Sequence, residues 1–295
     1  MGPVIAVDRT VHRRLGGPPI VRRCPAMTDD VYTHGHHESV LRSHRWRTAE
    51  NSAAYLLPHL AAGDQLLDVG CGPGTITLDL ASRVSPGSVV GIDTADDIVA
   101  EAARSADAAG CANVSFARGD AYGIDAGDGA FDVVHAHQVL QHLGDPIAAL
   151  TEMRRVLRPG GLLAVRDSDY GAFVWSPDDH RLDRWRQLYH RVTERNGAQA
   201  DAGRWLPTWV AAGGFSEAQV SSSTWTFADP ADRDWWGRLW ADRVRQSSFA
   251  TQAKEYGFSD EAELDDIAEA FEAWVDEPNA VFVVVHVEVL ARAPG

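Results

Sequence analysis

The fold class this sequence predicts is α/β: a doubly wound, seven-stranded, mostly parallel sheet with helical lid and cap insertions. Three observations carry that expectation. Through the first half of the chain, short and nearly continuous apolar runs alternate with amphipathic segments, as parallel strands covered by helices on both faces do. A glycine-rich turn, Gly70-Cys71-Gly72-Pro73-Gly74, follows the first of these runs. Acids or polar residues then stand at the ends of the following runs, where open α/β sheets bind their ligands.

The elements follow in order. Between Thr48 and Ala62, the residues Ala49, Ala53, Leu56, Leu57 and Leu60 recur at helical spacing and predict an amphipathic helix. Gln65 to Val69 is the first strand. Val89 to Ile92, Val114 to Ala117, Phe131 to His135 and Leu162 to Arg166 are the next four. Helices are expected over Ile76 to Arg83, Ile98 to Ala109 and Pro146 to Leu157, with Leu157-Arg158-Pro159-Gly160-Gly161 turning the chain into the fifth strand. Beyond it lie a helical stretch from His180 to Asn196, a partly alternating strand from Ala218 to Phe227, a helical region from Ala231 to Asp276, and a β-prone run from Ala280 to Leu290. The organisation expected is a flexible extension (1–29), a helical lid (30–62), a ligand-binding core (63–170), a helical cap insertion (171–213), and closing strands (214–295) with a second helical insertion over 231–278.

Composition narrows the function classes. The 295 residues are 45% hydrophobic and carry 42 acidic against 27 basic groups, a formal charge of -15. So acidic a chain is a poor phosphate tracker, and no nucleic-acid partner is expected. No apolar run approaches the roughly 18 residues of a membrane span. Cys24, Cys71 and Cys111 are too widely spaced for a disulfide framework or a zinc site, which fits a reduced, cytoplasmic setting. Residues 1–27 hold five arginines and one acid, interrupted by Gly16-Gly17-Pro18-Pro19 and Cys24-Pro25. A flexible extension, or a start at Met27, is favoured there over a targeting peptide.

The chemistry concentrates at the strand ends. Glycines at i, i+2 and i+4 of the turn let the backbone press against a ligand where a Cβ would clash, and the helix opening at Thr75 offers its positive end. Asp93, ending the second strand, is placed to accept from both hydroxyls of a ribose. The third strand leads to Gly119-Asp120-Ala121 and the fourth to Ala136-His137-Gln138. A nicotinamide fingerprint would need a glycine where Thr75 stands, so a dehydrogenase is disfavoured.

In this order the segments resemble the class I S-adenosylmethionine-dependent methyltransferases, most nearly the quinone-biosynthesis C-methyltransferase-like group, over about residues 30–168. The resemblance implies a Rossmann-like core that uses S-adenosyl-L-methionine and releases S-adenosyl-L-homocysteine. The methyl would pass by in-line displacement to a small aromatic or apolar acceptor at O, C or N. It assigns Asp68, Gly70, Cys71 and Gly72 to the methionine part of the cofactor, and Asp93 and Thr94 to the ribose. Gly119, Asp120 and Ala121 fall to the adenine, and His137 and Gln138 to the wall near the sulfonium. An N-terminal lid, as the family has, makes Tyr32, His36, Ser43, His44 and Arg47 candidate contacts.

Four histidines (His34, His36, His37 and His44) and Glu38 invite a metal, but adjacent His36 and His37 point apart, and no metal is expected. A general base is sought among His137, His142, Asp167, Asp169 and Tyr170, with His142 and Asp169 the catalytic candidates. Arg166 and Arg204 could hold an acidic acceptor. Nine of the ten tryptophans follow residue 170. They could wall an apolar or cationic pocket, although Trp235, Trp236 and Trp240 at helical spacing suit core packing. Two other readings stay open: a cofactor-binding partner or regulatory protein that methylates nothing, and a methyltransferase acting on a peptide. A monomer or homodimer is expected.

Overall fold

The computed structural model describes residues 30–33, 35 and 38–295. It opens on a short helix, α1 (Glu38–Arg45), followed by α2 (Ala49–Ser52). The long helix expected over 48–62 does not form. Thr48 and Asn51 cap α2 reciprocally, the chain turns at Ala53, and a single 3-10 turn spans Leu57–His59 around Pro58. Proline lacks the amide a continuing helix needs. The apolar spacing still marks the right face, since Ala49, Ala53 and Leu56 are buried.

From there, strands and helices alternate as expected: β1 (Leu66–Val69), α3 (Thr75–Val84), β2 (Val89–Asp93), α4 (Asp96–Ala109), β3 (Val114–Arg118), β4 (Phe131–His137), α5 (Pro146–Val156) and β5 (Leu157–Ser168). The turn read at 158–161 is a bulge inside β5: Leu157 pairs with Phe131, and pairing resumes between Leu162 and Val133. Then come β6 (Val174–Ser176), α6 (His180–Arg195), α7 (Ala202–Ala212), β7 (Ser216–Phe227), α8 (Pro230–Gln246), α9 (Ser248–Glu255), α10 (Glu261–Asp276) and β8 (Val281–Arg292).

The sheet runs β3-β2-β1-β4-β5-β8-β6, with β7 on the other edge of β8. The first five strands are parallel; β6, β7 and β5 all lie antiparallel to β8. One strand more than the expected seven is present. It is β6, which continues the β5 edge because β8 extends past the end of β5 to Val281.

Alternation along the strands feeds two cores. Leu66, Val133 and Leu162 pack with Leu80 and Val84 of α3 on one face. Leu67, Val134 and Leu163 pack with Met153 of α5 and Val210 of α7 on the other. A third core gathers α6, α8 and α10 around Phe282, and most late tryptophans go there: Trp175, Trp185, Trp225, Trp236, Trp240 and Trp274 are buried. Trp205 is exposed. Among the described residues, no helix is long and apolar enough to cross a membrane.

Candidate active site

A cavity of about 300 Å³ opens at the C-terminal ends of the parallel strands. Of the residues singled out from the sequence, Tyr32, Ser43, His44, Arg47, Asp68, Gly70, Cys71, Gly72, Asp93, Thr94, Gly119, Asp120, Ala121, His137, Gln138, His142 and Tyr170 all line it. His36 falls outside the described residues, as do His34 and His37.

The glycine turn is held by its neighbours. Gly70 has φ 68°, and a Cβ there would come within 2.4 Å of Val139 Cγ2, a conformation and a spacing that only glycine tolerates. The Cys71 amide donates to Ile92 O at 3.0 Å, tying the turn to β2. The Gly72 amide donates to Asp93 Oδ2 at 3.1 Å, and the Ala95 amide to Asp93 Oδ1 at 3.2 Å. Asp68 sits lower on β1. Its Oδ2 accepts from Thr77 Oγ1 at 2.6 Å, and its Oδ1 lies 2.7 Å from His135 Nδ1. His135 was not foreseen, yet it stands directly opposite Asp68 in the β1–β4 register. Asp120 Oδ1 accepts from the Tyr122 amide at 2.9 Å, and the Tyr122 hydroxyl donates to Asp30 Oδ2 at 2.6 Å. Asp30 and Tyr122, which also line the cavity, were likewise missed. Burial, with the Asp30 carboxylate beside it, holds the Tyr122 hydroxyl well above its usual range.

Comparison with known proteins settles the family. A family model described as "Methyltransferase domain" matches residues 60–214. An uncharacterized methyltransferase of Schizosaccharomyces pombe is 32% identical over 274 residues, covering 90% of this chain and 98% of its own. The chain belongs to the S-adenosylmethionine-dependent methyltransferases. A demethylmenaquinone methyltransferase of Beutenbergia cavernae is 31% identical over 175 residues, covering 59% of this chain and 65% of its own. That agrees with the quinone-biosynthesis likeness read from the motifs. Among solved structures, the (4+2)-cyclase SpnF superposes with a TM-score of 0.51 at 25% identity, over 87% of this chain and 81% of its own.

The methyltransferase's remaining cavity wall is built from distant parts of the chain. Gln138, just past β4, has φ 54°, a conformation rare outside glycine that tends to persist where function needs it. Its amide donates to Arg166 O at 2.7 Å. Its Oε1 accepts from Arg47 Nη2 at 2.6 Å, and its Nε2 lies 2.8 Å from His286 Nε2. His137 and His286 are buried, and desolvation followed by the Arg166 and Arg47 charges pushes both far below the usual histidine range. His142 meets Tyr32 edge to face at 4.7 Å; burial, then Arg47 and Arg243, bring it down to about 3. Burial pushes the Tyr32 hydroxyl up to about 12.

Four candidate residues come out differently. Asp169 does not line the cavity. It is held by Arg204, with Nη2 to Oδ1 at 2.5 Å and Nε to Oδ2 at 2.7 Å, and it caps the Ala172 amide at 3.1 Å. That use consumes Arg204 as well. Arg166 is equally committed: its Nε donates to Glu288 Oε1 at 3.2 Å and to Ser223 Oγ at 3.1 Å. Asp167 turns into the interior, accepting from the Gln141 amide at 3.2 Å, and burial raises it to about 8. Trp236 and Trp240 do two jobs, packing in the third core and facing the cavity beside Trp225.

Proposed function

We propose that this methyltransferase transfers the methyl group of S-adenosylmethionine to a small acceptor, aromatic or apolar in its body, inside the strand-end cavity. One observation carries the reading: the glycine turn after β1, Asp93 ending β2 and Asp120 after β3 open in order onto a single cavity. The residues present suit the cofactor. Gly70 leaves the floor of the turn bare where a Cβ would meet Val139. Asp93, fixed by the Gly72 and Ala95 amides, is the acceptor for a ribose diol, with Thr94 beside it. Gly119, Asp120 and Ala121 would take the adenine. Asp68, Gly70, Cys71 and Gly72 would take the methionine part, with Tyr32, Ser43 and His44 closing over it from the N-terminal lid.

When bound, S-adenosylmethionine supplies a methyl group on a sulfonium and leaves as S-adenosylhomocysteine. The chain's own part is to position and to keep dry. In-line displacement draws most of its rate from held geometry, and Tyr170, Phe173, Trp225 and Trp236 give the cavity the water-poor wall that favours charge neutralisation. His142, brought to about 3, is neutral at physiological pH and a feeble base; we assign it to the wall. Asp169 has no part in the proposal, because it is spent on Arg204.

A second reading, cofactor binding without methyl transfer, is favoured by the likeness to a chain that is a (4+2)-cyclase. Mass spectrometry decides between them. Full chain and S-adenosylmethionine are incubated with panels of small phenols, carboxylic acids, amines and peptides. A methylated small molecule supports the proposal, and a methylated peptide alone replaces it. Bound cofactor with no methylated product in any panel favours the second reading.

A further inference from the structure

Two arginines line the cavity with no carboxylate among the described residues to answer them. Arg47 donates from Nη2 to the neutral Gln138 Oε1, and its Cζ lies 5.6 Å from the Trp225 ring centroid. Arg243, on α8, donates from Nη2 to Ser39 O at 3.1 Å and Ser43 Oγ at 3.0 Å, with Cζ 4.6 Å from the Trp240 centroid. Arg243 is only 5% exposed. In both, Nε is buried without a hydrogen-bond partner, and neither forms an ion pair among the described residues. Arg166, buried and sharing the Trp225 ring with Arg47, shows the contrast, since Glu288 holds it.

The acids of the cavity do not offset these charges. Asp30, Asp68, Asp93 and Asp120 belong to the β1–β3 side, each with its own donors, whereas Gln138 follows β4 and Trp225 lies on β7. An unpaired buried charge is destabilising, so its retention points to a ligand that brings the opposite sign. The methionine part of the cofactor has one carboxylate, enough for one guanidinium. We give that carboxylate to Arg47, whose partner Gln138 adjoins Val139, the residue that abuts Gly70.

We propose that the acceptor answers the other: the protein methylates a small molecule bearing an oxyanion, a carboxylate or an ionised acidic hydroxyl, seated against Arg243. This rests on the methyltransferase reading above and names its substrate class. It gives Arg243 the part that the sequence suggested for Arg166 and Arg204. An acceptor that arrives ionised also needs no proton removed, in keeping with a cavity in which His137 and His142 are poor bases.

The test is calorimetric and uses the full chain saturated with S-adenosylhomocysteine. Benzoate and salicylate are compared with benzamide and salicylamide. At least one acid should bind about tenfold or more tightly than its amide, the scale of a charge-assisted contact. Arg243→Gln should bring that ratio to about one while Arg243→Lys keeps most of it, because the effect belongs to the charge. Titrating S-adenosylhomocysteine into each variant confirms that it is folded. Equal affinity for acid and amide, no binding of any of the four, or a ratio untouched by Arg243→Gln would overturn the inference. If S-adenosylhomocysteine fails to bind the wild type, the methyltransferase reading itself falls, and this inference falls with it.

Discussion

The two sides of the cavity are assembled in different ways. On the β3-β2-β1 side, the groups that face the cavity lie on a strand or within a few residues of its end, and their partners are mostly neighbouring backbone amides, as with Asp93 and Gly72 or Asp120 and Tyr122. Toward β4, β8 and β7 the contacts join distant parts of the chain. Arg47 meets Gln138 across 91 positions, Gln138 meets His286 across 148, and Arg243 meets Ser43 across 200. The first side is a property of strand ends, which any doubly wound sheet places together. The second exists only once the aromatic core has seated α6, α8 and α10 against β8.

That contrast can be broken or sharpened by substitution. The largest effect is expected from Trp185→Ala. Trp185 is fully buried, with its ring centroid 4.5 Å from Trp240 and 5.2 Å from Phe271, so about 3–5 kcal/mol of stability should be lost in chemical denaturation. A loss below about 1 kcal/mol would show that the distant side does not depend on this core.

Next in size is a pH effect. Folded Asp167 keeps its proton up to about pH 8 against an ordinary value of 3.8, so between those values the folded state binds one proton more. Its contribution is full below about pH 4 and is lost as pH rises toward 8, at up to roughly 1.4 kcal/mol per unit. Asp167→Asn should flatten that slope in urea melts taken from pH 5 to 8. An unchanged slope would mean that the carboxyl is ionised in the fold.

The smallest comparison isolates the glycine turn. Gly110→Ala, at φ 64° with nothing within 4 Å of the added Cβ, should lose only the left-handed penalty of about 1–2 kcal/mol. Gly70→Ala adds the clash with Val139 and should lose about 1–3 kcal/mol more, together with affinity for S-adenosylhomocysteine. Equal losses at the two positions would show that Val139 simply moves aside.

The same division explains what the sequence disclosed. The succession of strands along the chain and the row Gly70, Asp93, Asp120 were legible because glycine turns and strand-end acids are short-range signals. Helical spacing at Ala49, Ala53 and Leu56 identified a buried face without fixing a helix, because burial repeats in the same way in broken turns. His135 was hidden inside an apolar strand, visible only through its register with Asp68. Asp169 and Arg204, 35 positions apart, looked like site residues until their mutual bond accounted for both. Arg243 gave no local sign at all. The part proposed for it rests on the counter-charge missing around it among the described residues, and that is a fact of tertiary structure.

In the reading proposed above, the strand-end cavity holds S-adenosylmethionine on Asp93. Its most direct test is a calorimetric titration of S-adenosylhomocysteine into the wild type and into Asp93→Ala. The wild type should bind with a roughly micromolar dissociation constant, weakened at least about tenfold in the variant by the loss of a charged hydrogen-bond acceptor. No heat from a folded, ligand-free wild type, or equal affinity in the two proteins, would contradict it.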